Sequence, residues 1–251
     1  MSGETEGVMA PEFRIGAVVR RSFAVLAANI APFFLLGVLF TLPSHLELFL
    51  PEFSTSADLS WIAIVAAIIG FLCLNLLTAT IVYGTIVQLR GSHASILDCV
   101  AKGLGLLFPV LIVSLLAGLL IGLATMLLVI PGFFLFTILW VAVPAAVVER
   151  PGIIGSLRRS AQLTKGYRWQ VFGVIAIFMI IGFVVNFVLI APVVGAMASG
   201  AVWSSGLAGV VIVAVQALTS ALSSVAVAVG YHDLRIAKEG VDTTQIAAVF
   251  D

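Results

Sequence analysis

The sequence predicts an all-α fold: a polytopic integral membrane bundle of six transmembrane helices with cytoplasmic interfacial amphipathic helices. Three observations carry that expectation. Of the 251 residues, 62% are hydrophobic and only 10% charged, where a soluble domain carries about 25% charged residues, and the mean hydropathy is +1.24. Apolar runs long enough to cross a hydrocarbon core of ~30 Å, which takes ~20 residues, recur along the chain. All 12 Lys and Arg residues fall on one side of a six-span arrangement. They are balanced by 12 Asp and Glu, and a net charge of zero argues against a nucleic-acid binder, which needs a basic excess.

Taken in order, residues 1–12 are polar and acidic and lack the basic, apolar and small-residue regions of a targeting segment. They read as a disordered cytoplasmic tail. Residues 13–240 form the six-span membrane domain. The first span lies within residues 22–43, where Asn29 and Pro32 can separate an interfacial helix from the span proper. The second is 61–89, free of Asp, Glu, Lys, Arg and His, and the third and fourth are 103–130 and 133–148. Between these two, Pro131-Gly132 is expected to be the tight turn of a helical hairpin. The fifth and sixth spans are 171–195 and 207–230. In the tail, 241–251, Asp242 as N-cap and Gln245 three residues on, followed by Ile246, Ala247 and Phe250, predict a short amphipathic helix.

The charges orient the bundle. Six spans place every Lys and Arg in the N-terminal segment, the second and fourth loops and the C-terminal tail, whereas the opposite loops hold Glu47, Glu52 and Asp58. The positive-inside rule then sets both termini in the cytoplasm; five or seven spans would spoil the separation. Three basic segments precede spans one, three and five with apolar residues at helical spacing: Ile15, Val18, Phe23 and Leu26; Ile96, Val100 and Leu104; Ile153, Leu157 and Ala161. Ser95 and Asp98 mark a capping box for the second, with Asp98 and Lys102 as an i,i+4 pair. Pro151 suits the first turn of the third, and Gly166 its end. The unit of interfacial helix plus two spans is thus used three times, starting near residues 13, 94 and 151.

The inventory for chemistry is thin. There is no metal or nucleotide motif and no nucleophile elbow, no cofactor is implied, and Cys73 and Cys99 make no metal spacing or disulfide framework. No Asp, Glu, Lys, Arg or His sits in a span core, which argues against proton-coupled transport. Asn75, Asn186 and Gln216 are the candidate intramembrane polar cluster, with interhelical hydrogen bonding as the plainer reading. Gly118 with Gly122, and Ser220, Ser224 and Ala228, read as close-packing ridges. The richest cluster is Arg150, Arg158, Arg159, Lys165 and Arg168, a basic collar suited to anionic head groups or to ordinary topological anchoring. The expected function is therefore non-enzymatic and lipid-interacting or accessory to a membrane complex. Its partners are anionic membrane lipids, a protein or a second copy, and no nucleic acid. The alternatives are a transporter or lipid-moving channel without proton coupling, and an enzyme at the cytoplasmic rim using Glu149, His232 or Asp233.

One resemblance sharpens this. Pro131-Gly132, Val141-Ala142-Val143-Pro144, Val147-Val148-Glu149, Arg159-Ser160, Leu163-Thr164-Lys165-Gly166, Arg168-Trp169, Tyr231 and Asp233-Leu234-Arg235 resemble the membrane domain fused to some glycerophosphoryl diester phosphodiesterases and its stand-alone bacterial relatives. The likeness is specific in residues 131–169 and 230–240, with Tyr231-His232 where relatives often pair tyrosines. It implies a bacterial inner-membrane protein and a membrane-domain role. Six spans leave no room for the phosphodiesterase barrel, so it implies no catalytic residue.

Overall fold

The computed structural model describes residues 12–48, 59–92, 95–198 and 205–240, among which there is no strand. The two tails and the Glu52 and Asp58 loop, with the short helix expected after Asp242, lie outside the described residues. The helices are α1 (Ile15–Ala28), α2 (Ile30–Thr41, extended by a 3-10 segment Leu42–Leu48), α3 (Leu59–Leu89), α4 (Ile96–Gly105), α5 (Leu107–Leu127), α6 (Val129–Leu139), α7 (Ala142–Val148), α8 (Ile153–Thr164), α9 (Arg168–Val185), α10 (Ala191–Ala198) and α11 (Ser205–Glu239). Among the described residues five stretches are long and apolar enough to cross a membrane: Ile64–Leu89, Leu107–Leu127, Val129–Val148, Arg168–Ala196 and Gly206–Glu239. A sixth exists if α1 and α2, bent by 86°, count as one span.

One local device sets most of the breaks. Pro32, Pro109, Pro131 and Pro144 each stand at the third position of a helix, three residues after a non-helical Asn29, Leu106, Leu128 or Val141. A proline ring clashes with the carbonyl four residues back, so no straight helix can pass through it, while its missing N–H is harmless in a first turn. The residue after each proline donates to the carbonyl of the break residue: Phe33 to Asn29, Val110 to Leu106, Gly132 to Leu128 and Ala145 to Val141, at 3.0, 3.1, 3.3 and 3.1 Å. Pro192 is handled differently, following a π-helical segment Asn186–Ile190 that joins α9 to α10.

This corrects four expectations. The turn between the third and fourth spans is at Leu128, in extended backbone (φ −159°, ψ 136°), and Pro131-Gly132 lies inside α6. Gly132 serves close approach there: a Cβ on it would fall 2.8 Å from the Thr125 Cα. Gly103 belongs to α4, the span beginning at Leu107 after the break that Pro109 enforces. Pro151 precedes α8, whose N-cap is Gly152 at φ 81°, next to Arg150 in the same left-handed region at φ 52°. Asp98 forms no ion pair with Lys102; it accepts the Ser95 hydroxyl at 2.7 Å while Ser95 caps its N–H at 3.1 Å.

The three short helices also bury faces other than their apolar stripes alone. On α4, Cys99 and Gly103 are buried against the bundle while Ile96, Leu97 and Leu104 are exposed. On α8, Ser156, Ser160, Leu163 and Thr164 are buried, and Ile153 and Leu157 pack against Val113, Ala142 and Ala146. The Ser160 hydroxyl donates to the Ile138 carbonyl at 2.7 Å, reaching the last turn of α6 before the break. Gly166, at φ 93°, turns the chain into α9.

The core forms around α11, which touches α1, α2, α3, α7, α8 and α9. Its small residues allow this: Ala217 meets Gly37 of α2 and Gly230 meets the Trp140 ring. Ser224 and Ala228 are buried as expected, whereas a Cβ on Gly118 or Gly122 would meet nothing within 4 Å, and both face outward. Both cysteines are free.

Candidate functional site

The basic residues and the carboxylates meet where α1, α8 and the last turns of α11 come together. Glu149, at the end of α7, accepts the Tyr231 hydroxyl at 2.6 Å and Arg159 Nε at 2.7 Å on its two oxygens. Arg159 reaches on to Glu239 with Nη2, and Glu239 also accepts Arg235 Nε at 2.9 Å. Arg21 pairs with Asp233, whose Oδ1 lies 3.5 Å from His232 Nδ1. Burial works against the Arg159 charge, but the hydrogen bonds and charges of Glu149 and Glu239 outweigh it and hold the guanidinium above its ordinary pKa. This is a clamp: one planar fork bridges two carboxylates and ties α8 to α7 and α11.

Of the five predicted collar residues, then, Arg159 points inward and is fully engaged. No carboxylate among the described residues pairs with Arg150, Arg158, Lys165 or Arg168. Tyr231, Arg235 and Glu239 were not among the predicted site residues. Their i, i+4, i+8 spacing, which aligns them on one helix face, was the available signal.

Lys165 and Arg168 stand apart from the rest of the collar because they border a groove of about 660 Å³ between α6 and the start of α9. Its walls are Ile130, Phe133, Phe134, Trp169 and Phe172, with Thr137 and Gly166 completing the lining. The Arg168 guanidinium lies over the Phe134 ring, 4.9 Å from its centroid, a cation–π contact. Its Nε is buried and meets no acceptor among the described residues.

The intramembrane trio is only partly assembled. Gln216 Nε2 lies 3.5 Å from Asn186 Oδ1, at the limit of a hydrogen bond, and Asn186 also donates to the Gly182 carbonyl at 2.8 Å. Asn75 instead donates to the Phe71 carbonyl of its own helix at 2.8 Å. Among the described residues no group of His, Cys, Asp and Glu is arranged to hold a metal ion. No protein-family model matches the chain, and no curated protein or solved structure was found similar to it.

Proposed function

We propose that this chain is a non-enzymatic, six-span protein of a bacterial inner membrane, with both termini in the cytoplasm, whose basic face engages anionic lipid head groups. The observation that carries this reading is the division of the collar. Arg159 is consumed by the clamp, while among the described residues no carboxylate pairs with Arg150, Arg158, Lys165 or Arg168. In the proposed orientation α1 and α2 together make the first crossing and α4 and α8 lie at the cytoplasmic interface, which agrees with the exposed Leu97, Leu104 and Ile154 beside their basic residues. Glu149, the acid best placed for rim chemistry, has both oxygens occupied by Tyr231 and Arg159, and this supports a structural role for it. The likeness to the phosphodiesterase-associated membrane domain falls on α6, α7, α8 and the end of α11, the elements that build this face.

Two measurements test the proposal. Purified protein mixed with equal phosphatidylglycerol and phosphatidylcholine should retain the anionic lipid preferentially in native mass spectrometry. A variant with Arg150, Arg158, Lys165 and Arg168 all changed to Gln should lose that preference, at about 1 kcal/mol per removed charge. A wild-type protein that retains both lipids equally ends the head-group reading. For orientation, single cysteines placed at Gly3 and Thr243 in a background lacking Cys73 and Cys99 should resist an impermeant maleimide in intact cells, while one at Ser54 should label. Labelling at one terminus only would rule out six spans.

A further inference from the structure

Within that lipid-binding reading, on which this step rests, we propose that the groove between α6 and α9 seats one anionic glycerophospholipid of the surrounding leaflet. Its phosphate lies on Lys165 and Arg168 and the upper part of one acyl chain lies along Ile130, Phe133, Phe134 and Phe172. The groove has two chemically different parts. Its cations come from the α8–α9 turn, and its walls are aromatic and aliphatic. A free anion such as inorganic phosphate would use only the first part, and a neutral hydrocarbon only the second. An anionic amphiphile uses both.

The Arg168 geometry favours a phosphate. The Arg168 guanidinium carbon lies over the Phe134 ring, 4.9 Å from its centroid, which keeps the charge at the groove, and a guanidinium can grip two phosphate oxygens at once. Arg168, Trp169 and Gln170 form the first turn of α9 after its N-cap Tyr167, where backbone N–H groups lack intrahelical acceptors and add to the attraction for an anion. Lys165 is exposed at the same mouth and carries a charge that no described carboxylate neutralises. Trp169 is 84% exposed, edge-on to Phe172 with centroids 6.2 Å apart, and an indole so placed lies against the glycerol region of a neighbouring lipid. The volume, about 660 Å³, falls within the range of small-molecule sites, roughly 300–1,000 Å³, and suits one chain segment with a head group.

The test uses the full chain and native mass spectrometry with phosphatidylglycerol against phosphatidylcholine. Wild type should hold one phosphatidylglycerol more firmly than the rest. Changing Lys165 and Arg168 together to Gln should weaken that one by about thirtyfold, two head-group charges being lost. Arg150→Gln with Arg158→Gln removes equal charge outside the groove and should leave it in place. Ile130→Trp keeps every charge but fills the apolar wall, and should weaken it about tenfold, as for roughly two methylene groups expelled. Arg168→Lys should restore part of the binding, and glycerophosphoglycerol, the head group without chains, should not displace the lipid. The proposal is overturned if Ile130→Trp holds phosphatidylglycerol as wild type does, if the chainless head group displaces it, or if the Arg150 and Arg158 changes cause the same loss. Should the Lys165 and Arg168 variant fail to fold, the Ile130→Trp result decides alone, since Ile130 is 81% exposed. A wild type with no anionic preference refutes the general head-group reading as well, whereas preference retained by Ile130→Trp refutes only this seat.

Discussion

Replacing Arg159 with methionine is expected to destabilise the folded protein by about 3 kcal/mol, at the low end of the loss seen when one partner of a buried ion pair is removed. The guanidinium bridges Glu149 and Glu239, and the three side chains are only 22%, 20% and 30% exposed. Without it two carboxylates face each other with less compensation. The loss is limited because Glu149 keeps the Tyr231 hydroxyl and Glu239 keeps Arg235. Arg159→Lys should recover only part, since a point charge cannot span two carboxylates as a planar fork does. Changing Glu239 to Gln in the methionine variant should recover part as well, by removing one unpaired charge. The check is the thermal midpoint of the detergent-solubilised protein. If the methionine variant melts with wild type, the clamp is a surface decoration and the collar has no structural member.

A leucine at Gly37 should cost about 2–3 kcal/mol, the usual penalty for overpacking a close helix contact. A Cβ at this position would lie 2.7 Å from the Ala217 carbonyl oxygen and 2.9 Å from the Ala217 Cβ. The first of these is backbone, which cannot rotate away, so α2 and α11 must separate. Gly118→Leu is the matched control, because a Cβ there would meet no other part of the protein within 4 Å. It should leave stability unchanged or raise it by up to about 1 kcal/mol, the helix-propensity advantage of leucine over glycine. Equal melting of the two variants would show that α2 does not pack on α11 through Gly37.

The site was only half legible before folding, and the two ion pairs show why. Arg159 and Glu239 are 80 residues apart, and Arg21 and Asp233 are 212 apart. Periodicity within each helix places these residues on a face, but the partner depends on how α11 is rotated and how far it extends. The sixth span was expected to close at Gly230, yet α11 continues to Glu239, because nothing from Tyr231 to Glu239 breaks a helix until Gly240 turns at φ 65°. That added length delivers Tyr231, Arg235 and Glu239 to α7 and α8. The groove beside Arg168 was invisible for the same reason: Phe134 and Arg168 meet only because α6 and α9 are neighbours.

What the amino-acid sequence determined by itself is everything that hydrocarbon thickness and proline chemistry act on locally. The helical class, the long apolar stretches, the break at Asn29 and the Ser95 cap all follow from residues within one or two turns of each other. The breaks at Leu106 and Val141 belonged to the same class, since Pro109 and Pro144 announce them by the rule that Pro32 obeys. Tertiary structure alone decided which glycines permit contact and which face outward, which of the basic residues are neutralised, and where the Arg168 guanidinium borders an apolar groove. Those outcomes depend on distances between helices far apart in the chain, and a helix's own periodicity carries no information about its neighbour's register.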